Sequence, residues 1–416
     1  MNKNFIIGFV GMSHLGLNYL AAASEKGYSV IGFDRNRERI LKIKKKVIEF
    51  SEPNLKKIII KNKKRINFSE KFNDLKICDL VFISQDVETD KKGKGKLQKL
   101  KKLINNAVSN VNNSAQVIVL SQVQPGFMRE INFDKARLYY QVETLVFGKA
   151  VERALKPERI IVGLSNSDSN IKQTYLNYLK KFNCPILKMK YESAELTKIS
   201  INILLASTIT STNMLAEVCE KTSADWQEVV PALKLDERIG KKSYLKPGLG
   251  ISGGNIERDI YSIKKILKKN EKSLSIIKAF QKNSEYMKSW VFRTLENNKI
   301  LKKNKKSHIC VLGLAYKENT NSTKNSPTIS LLKKIKNHQI KIYDPKAVLQ
   351  KKYKNCLQVK NMISAMKNSS LVILMTPWEE FKNIKKYFNI INKNSTIIDP
   401  YRIINFNYIK NKSFNY

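Results

Sequence analysis

The chain has 416 residues, of which 42% are hydrophobic, so it is long enough for two or three globular domains with buried cores. Its formal net charge of +42 would suit a nucleic-acid binder, but the basic residues are spread along the chain rather than gathered in one arm. We therefore expect no nucleic-acid partner, although the positive field attracts anionic ligands. The five cysteines lack metal-ligand spacing, which predicts no metal site and favours a reducing, cytoplasmic setting.

The pattern of apolar residues argues against membrane insertion and against a signal peptide. The longest apolar candidate, from Ile199 to Leu215, is interrupted by Ser, Thr and Asn. The first apolar run, Phe5 to Val10, leads directly into a glycine-containing loop instead of a cleavage site.

The amino-terminal part alternates short apolar runs with helical patterns. The first helix is predicted from Leu15 to Lys26. Strands are predicted at Phe5–Val10, Tyr28–Phe33, Leu80–Ile83, Gln116–Leu120 and Ile160–Val162. Strands that alternate with helices predict a parallel sheet with helices on both faces.

The first loop has the features of a dinucleotide-binding turn. The segment Gly11-Met-Ser13-His-Leu-Gly16 follows a strand and opens a helix, with Ser13 in place of the middle glycine of G-x-G-x-x-G. Asp34 ends the second strand, where a carboxylate accepts hydrogen bonds from a ribose and repels a 2′-phosphate. NAD is therefore the predicted cofactor, and Arg39 weakens the preference over NADP. The alternative is an ordinary turn between a strand and a helix.

The central part changes to a helical pattern. A long helix is predicted from Ser193 to Glu220 and more helix from Ile260 to Asn297, a block that would bury its apolar faces against itself or a second subunit. A linker is predicted from Asn297 to Ser307. After it, a helix is predicted near Ile329–Asn337, and strands at His308–Leu312, Ile340–Tyr343, Leu371–Met375 and Thr396–Ile398. The resulting domains are residues 1–190, 191–296 and 297–416.

Polar residues that could take part in catalysis cluster in the central block. Lys198 and Asn202 are spaced to share one helix face, where such a pair is usually solvated, but here its flanks are apolar. A second glycine-rich loop, Gly248 to Gly254, is followed by Asn255 and Asp259.

These motifs resemble the UDP-glucose/GDP-mannose dehydrogenase family. The segment from Glu195 to Asn202 matches E-x-x-K-x-x-x-N, Asp236 to Gly240 matches D-x-R-I-G, and Gly313 to Lys317 resembles G-L-A-F-K. The resemblance extends over essentially the whole chain in the correct order. It implies an α/β fold in which two Rossmann-like, doubly wound parallel-sheet domains are joined by a central helical dimerisation domain.

The resemblance also implies roles for individual residues. The catalytic positions are Lys198, Asn202, Asp259, Glu143 and Asn255. The cofactor-binding positions are Gly11, Ser13, Gly16, Asp34, Arg39, Gln122, Arg258 and Lys324. The positions for the sugar nucleotide are Arg238, Tyr244, Gly250, Lys317 and Arg402, and Arg238 would reach into the site of a second subunit in a homodimer.

Several positions depart from the family pattern. Asn255 stands where the family has the cysteine that carries the sugar as a thioester, and an amide is not a nucleophile. Phe147 replaces a second glutamate, Gln122 replaces a threonine, and the segment 84–88 replaces the turn V-P-T-P. One hypothesis is an NAD-dependent oxidoreductase that acts on the C6 alcohol of a UDP- or GDP-linked sugar, with an altered or single-step oxidation. A second is an impaired relative that binds both ligands as a regulatory protein. A third is a basic nucleic-acid binder that uses the same fold, which the even spread of basic residues disfavours. The motifs leave the identity of the sugar nucleotide open.

Overall fold

A computed structural model describes residues 5–90, 95–166, 168–267, 271–303, 307–392 and 395–404. The chain divides into two compact units, Met1–Ile201 and Asn202–Tyr416. The three-part division at 190/191 and 296/297 stays a prediction.

The first unit is built on an eight-stranded sheet with helices between the strands. Its strands are β1 Ile6–Val10, β2 Ser29–Phe33, β3 Ile66–Ser69, β4 Leu80–Ile83, β5 Gln116–Val119, β6 Leu138–Gln141, β7 Ile160–Leu164 and β8 Ile186–Lys190. Its helices are α1 His14–Glu25, α2 Arg37–Lys44, α3 Leu55–Lys61, α4 Leu97–Val108, α5 Ala150–Leu155, α6 Gln173–Lys180 and the start of α7 Tyr191–Thr222, with 3₁₀ turns at Phe72–Ile77 and Phe127–Glu130.

The strand order in this sheet is β3-β2-β1-β4-β5-β6-β7-β8. Strands β4 and β5 are buried along their whole length, which explains why β4 is a continuous apolar run and β5 is apolar after Gln116. The predicted parallel sheet is confirmed from β3 through β6, but β7 pairs antiparallel with β6. Helix α5 lies between these two strands, so the sequence alternates there as it does between parallel strands, and the pattern did not reveal the reversal.

The second unit contains a five-stranded parallel sheet in the order β11-β10-β9-β12-β13. Its strands are β9 Ile309–Leu312, β10 Ile340–Tyr343, β11 Cys356–Gln358, β12 Leu371–Leu374 and β13 Thr396–Ile398. Its helices after α7 are α8 Trp226–Leu235, α9 Asn255–Ile266, α10 Glu271–Lys288, α11 Trp290–Asn297, α12 Ile300–Lys303, α13 Pro327–Lys334 and α14 Met362–Met366, with a 3₁₀ segment at Glu379–Ile390. This sheet repeats the strand order of the first five strands of the other sheet.

The helical block matches its prediction except at the linker. The helical pattern from Ile260 to Asn297 corresponds to three helices, α9, α10 and α11, and Ser289 separates the last two. The linker expected from Asn297 to Ser307 contains the short helix α12, and residues 304–306 lie outside the described residues. Ile300 and Leu301 on this helix are buried in the core of the second unit, and this packing stabilises the segment as a helix.

Helix α7 is the longest element and carries no proline or glycine. Within the described residues it alone is long and apolar enough to cross a membrane by length and composition, a test that core helices also pass, so the absence of membrane insertion stays a prediction. It nevertheless carries buried polar side chains, Glu195, Lys198, Asn202 and Asn213. Such side chains are costly in a lipid environment.

In the second unit, a buried carboxylate fixes the turn that follows the central strand β9. Asp344 follows β10 and is 6% exposed. Its two oxygens accept hydrogen bonds from Leu314 N (2.7 Å), Ala315 N (2.9 Å), Lys346 N (2.9 Å), Ala347 N (2.6 Å) and Trp378 Nε1 (3.1 Å). Five donors on one carboxylate use all of its acceptor positions.

We expect Asp344→Asn to destabilise the protein because the amide group would place a donor against backbone N–H groups that now have an acceptor. The free energy of unfolding should fall by about 2–4 kcal/mol, the scale of losing several buried hydrogen bonds. Chemical denaturation followed by tryptophan fluorescence measures this change. Asp236→Asn, which alters a half-buried surface carboxylate paired with Arg238, is the control and should have little effect. Equal losses in the two variants would contradict the structural role of Asp344.

Candidate functional site

The first glycine loop requires glycine at both ends. Gly11 has a φ of +100°, and a Cβ there would lie 2.7 Å from the Cα of Gln85. A Cβ on Gly16 would lie 1.8 Å from the carbonyl oxygen of Gly11. Ser13 is the residue before α1, but its side chain does not cap that helix. The loop therefore packs closely against the end of β4, as a dinucleotide turn requires.

Asp34 lies at the carboxyl end of β2 and is nearly buried. Its Oδ2 accepts hydrogen bonds from Met12 N (2.8 Å) and Arg39 Nη1 (2.9 Å), and its Oδ1 accepts one from Asn36 N (2.9 Å). The carboxylate thus orients both the glycine loop and the arginine beside it.

A cavity of about 320 Å³ opens beside Asp34 at the carboxyl ends of the strands. Its lining includes Gly11, Asp34 and Arg35, and one wall is formed by Lys99 and Lys102 of α4. A concave surface that combines a carboxylate, an accessible glycine backbone and basic residues fits the adenosine and phosphate portion of NAD.

The structure shows a polar contact at this loop that sequence analysis did not predict. His14 Nε2 lies 2.8 Å from Glu52 Oε1, and the imidazole ring stacks on Phe147 with 4.1 Å between ring centroids. Glu52 also accepts hydrogen bonds from Gly148 N (2.8 Å) and Ala150 N (3.3 Å). Burial alone would raise the pKa of Glu52, but the hydrogen bonds from His14 and Gly148 lower it below its ordinary value. The position where the family has a second glutamate is thus filled by an aromatic ring that packs on His14.

Lys198 and Glu143 form a buried ion pair in the first unit. The Lys198 Nζ lies 2.8 Å from Glu143 Oε1, and both side chains are largely shielded from solvent. Glu143 Oε2 accepts a hydrogen bond from Leu145 N at 2.9 Å, which fixes the carboxylate in the loop after β6. The structure therefore brings together two of the predicted catalytic residues, an ammonium group and a carboxylate, in a water-poor setting.

Glu195 is a further site residue, which the sequence motif contained but to which no role was assigned. It is fully buried on α7, and it accepts hydrogen bonds from Gly126 N (2.7 Å) and Met128 N (2.8 Å). Burial raises the pKa of Glu195 to about 7, and the two backbone N–H groups oppose this increase. The contact ties α7 to the segment after β5, which also carries the buried Gln122.

In the second unit, Asn202 and Asp259 are in direct contact. Asn202 Nδ2 donates a hydrogen bond to Asp259 Oδ2 at 2.5 Å, and Arg258 Nε lies 3.7 Å from Asp259 Oδ1. Asn255 is the first residue of α9, and its Oδ1 lies 3.5 Å from Arg258 Nη2. A thiol at this helix start would be activated as a thiolate by the N-terminal end of the helix, whereas the amide of Asn255 has no such chemistry.

The second glycine-rich loop packs against the segment that follows β9. Gly253 N donates a hydrogen bond to Lys324 O at 3.1 Å, and a Cβ on Gly254 would lie 3.0 Å from Lys324 Nζ. A Cβ on Gly250, which has a φ of +79°, would lie 2.5 Å from the carbonyl oxygen of Ser284. These contacts place the ammonium group of Lys324 beside the start of α9.

The remaining predicted sugar-nucleotide residues lie on the surface of the second unit. Arg238 is highly exposed and bonds to Asp236 (2.6 Å between Nη2 and Oδ2). Arg402 has a φ of +46° and forms an ion pair with Asp225 at 2.7 Å. Lys317 Nζ lies 5.8 Å from the centre of the Tyr316 ring, and Tyr244 is 46% exposed. The roles of these residues stay predictions. Within the described residues, no group of three or more His, Cys, Asp or Glu side chains is placed to hold a metal ion.

Comparison with family models gives three matches from one family. The UDP-glucose/GDP-mannose dehydrogenase NAD binding domain matches residues 5–181, the central domain residues 192–285 and the UDP binding domain residues 310–406.

Comparison with individual proteins gives the same family. UDP-glucose 6-dehydrogenase from Rickettsia bellii is 28% identical over 437 residues, covering 99% of this chain and 98% of the relative. A UDP-glucose dehydrogenase from Pyrobaculum islandicum has a similar fold, with a TM-score of 0.84 at 22% identity, covering 97% of this chain and 95% of that one. A UDP-D-ManNAc dehydrogenase from Pyrococcus horikoshii superposes with a TM-score of 0.83 at 20% identity, covering 98% of both chains.

The raised pKa of Glu195 predicts a specific pH dependence of stability. The folded state holds this proton more tightly than the unfolded chain, so the contribution of Glu195 is largest below about 4.5 and is lost as pH rises through about 7. The amide of Glu195→Gln resembles the protonated acid and lacks this titration. We expect the free energy of unfolding of the unmodified protein to decline more steeply than that of the variant between about pH 5 and about pH 8.

Denaturation at a series of pH values measures both slopes. Glu38→Gln is the control, since Glu38 is an exposed residue on α2 whose pKa is lowered mainly by its hydrogen bond with Lys42. This control should keep the slope of the unmodified protein, and equal slopes for the Glu195 variant and the unmodified protein would contradict the assignment.

Proposed function

Since the chain belongs to the UDP-glucose/GDP-mannose dehydrogenase family, we propose that it oxidises the C6 alcohol of a UDP- or GDP-linked sugar without a covalent thioester. The chain is an NAD-dependent nucleotide-sugar dehydrogenase that acts on a CH–OH group. The observation that supports the finer proposal is the amide of Asn255 at the start of α9, at the position where the resemblance implies a thiol.

The buried pair of Lys198 and Glu143 supports the first oxidation. NAD, when held beside the glycine loop and Asp34, would supply the hydride acceptor, and the hydroxyl group on C6 must lose its proton for an aldehyde to form. The ammonium group of Lys198 stabilises the negative charge that develops on this oxygen. Glu143, whose carboxylate lies 2.8 Å from Lys198 Nζ, is our candidate to accept the proton.

The absence of a thiol at residue 255 determines the fate of the aldehyde. In the covalent route a thiolate adds to the aldehyde, the adduct loses a second hydride, and water hydrolyses the thioester. Asn255 cannot add to the aldehyde, because its amide nitrogen is neither basic nor nucleophilic. We propose that the aldehyde is the released product. The Asn202–Asp259 pair then holds polar groups in a fixed position rather than activating a hydrolytic water.

A second candidate function is a regulatory protein that binds NAD and a sugar nucleotide without turnover. The packing of Phe147 on His14 favours it, because an apolar ring occupies a position where the resemblance implies a second glutamate. The two candidates differ in NADH production.

We expect one NADH for each sugar nucleotide that is converted, since oxidation stops at the aldehyde. Incubation of the protein with NAD and a panel of UDP- and GDP-linked hexoses, followed by mass spectrometry, counts NADH and identifies the product. A uronic acid with two NADH per sugar would show that the hydrated aldehyde is oxidised directly. Binding of the panel without NADH would instead establish the regulatory candidate.

The variant Asn255→Cys extends this experiment. If the rest of the site supports the second oxidation, the restored thiol should convert the aldehyde product into a uronic acid with two NADH per sugar. Asn255→Ser provides the matched control, because serine is close to cysteine in volume but has no thiol. This variant should keep the stoichiometry of the unmodified protein.

We also propose that the chain forms a cytoplasmic homodimer through α7 and that this helix does not enter a membrane. Leu204, Leu215 and Val218 on α7 are 68%, 41% and 46% exposed, which leaves apolar surface for a second subunit. Lys198 and Asn202 on the same helix are buried by protein, an arrangement that favours a water-soluble fold.

Light scattering after size-exclusion chromatography should give twice the mass of one chain. Leu204→Glu should shift the population toward single chains, because a buried charge opposes association. Leu357→Glu, which changes an exposed leucine on β11, is the control. A monomer at all concentrations would contradict the dimer.

A further inference from the structure

The segment after β4 is fastened to the cofactor loop by side-chain contacts. Ser13 Oγ donates a hydrogen bond to Ser84 O (3.3 Å) and accepts one from Asp86 N (2.9 Å). Ser121 Oγ adds a hydrogen bond to Gln85 O at 2.6 Å. The hydroxyl that replaces the middle glycine of the loop therefore positions the backbone at residue 86.

This arrangement places a carboxylate on the first turn of α1. Asp86 Oδ2 accepts a hydrogen bond from Leu15 N at 3.2 Å. Leu15 is the second residue of the helix, and N–H groups in the first turn have no partner within the helix. No acidic residue lies in that first turn, and Ser13 does not cap the helix, so Asp86 supplies its anion from a distant part of the chain.

The same N–H groups are where a dinucleotide fold holds the diphosphate of its cofactor. The positive end of the helix and the unpaired N–H groups together bind the negatively charged oxygens. A carboxylate and a diphosphate cannot share the same donor, and their like charges repel each other. The cofactor diphosphate and Asp86 therefore compete for the N-terminal end of α1.

We propose that Asp86 is an internal competitor of the cofactor diphosphate, which lowers the affinity of this chain for NAD. Asp86 is an exposed residue in a loop, so its carboxylate moves into water at small cost when the cofactor binds. Its neighbour Glu88 is held by Lys96 (3.1 Å) and Lys99 (3.4 Å), so those two ammonium groups already have a partner. The contact of Asp86 with Leu15 is thus the one that a diphosphate must replace.

Cofactor binding to the purified protein tests this proposal without measuring turnover. The Kd values of NADH, of ADP-ribose, which has the diphosphate but no nicotinamide, and of adenosine, which has no phosphate, are compared by fluorescence titration and displacement. In Asp86→Ala the Kd of NADH and of ADP-ribose should fall about tenfold, the scale of one charge at a helix terminus. Asp86→Asn, which can still accept from Leu15 N but has no charge, should give a smaller decrease. The Kd of adenosine should not change.

Hydrogen–deuterium exchange of the protein without cofactor provides a second measurement. The amide of Leu15 should exchange faster in Asp86→Ala, because its described hydrogen-bond acceptor is removed. Ser13→Gly removes the hydroxyl that positions residue 86 and should change the affinities in the same direction as Asp86→Ala.

The matched control is Asp168→Asn. Asp168 follows β7, which runs antiparallel to β6, so it lies at the edge of the sheet opposite to the cofactor loop. Its loss changes the net charge by the same amount and should leave all three Kd values unchanged. Unchanged or weaker binding of NADH and ADP-ribose in the Asp86 variants, with faster exchange at Leu15, would overturn the proposal. Equal tightening of adenosine would also overturn it, since adenosine carries no competing anion.

Discussion

In each sheet, a buried carboxylate that follows one strand (β2 or β10) holds the turn that follows the neighbouring strand (β1 or β9), and both sheets depend on this contact. In the first unit Asp34 Oδ2 accepts a hydrogen bond from Met12 N at 2.8 Å, and in the second Asp344 Oδ2 accepts one from Leu314 N at 2.7 Å. The glycine of each turn also donates a backbone hydrogen bond to the strand that precedes the carboxylate. The bonds are Gly11 N to Phe33 O and Gly313 N to Tyr343 O, each 2.8 Å long. Each loop at the carboxyl edge of the sheet is fixed in this way before any ligand binds.

The two carboxylates differ in the acceptor capacity that remains. Asp344 accepts from four backbone N–H groups and the indole of Trp378, which exhausts about four lone-pair positions on a carboxylate. Asp34 accepts from two backbone N–H groups and from Arg39, which leaves an acceptor position toward the neighbouring cavity. The first unit can therefore bind a ribose hydroxyl through Asp34, whereas the second unit uses Asp344, the residue at the equivalent position, to hold its own backbone. One topology thus serves two kinds of ligand.

Much of the fold was predictable because the information is local. Strand β4 is a continuous apolar run, and α7 is a long segment without proline or glycine, so their burial and regularity follow from composition. The position of Lys198 four residues before Asn202 predicted a shared helix face, and the structure pairs each of them with another predicted catalytic residue, Glu143 and Asp259.

The features that could not be predicted depend on distant parts of the chain. His14 and Glu52 meet across a sequence separation of 38 residues, and no local pattern indicates this contact. The buried position of Glu195 depends on the backbone at residues 126–128, which the fold brings to α7. Strand β7 runs antiparallel to β6 because the connection that contains α5 brings the chain back to the sheet in the opposite direction.

Four of the five cysteines share a feature that affects how the chain reacts with oxidants. Burial raises the pKa of Cys78 to about 12 and of Cys356 to about 11, and it also raises the pKa of Cys184 and Cys310. Peroxides attack the thiolate, which these groups do not form near neutral pH. With an amide at residue 255, the described chain offers oxidants no activated sulfur at the start of α9. At these positions, oxidants therefore meet protonated thiols or an amide rather than a reactive thiolate.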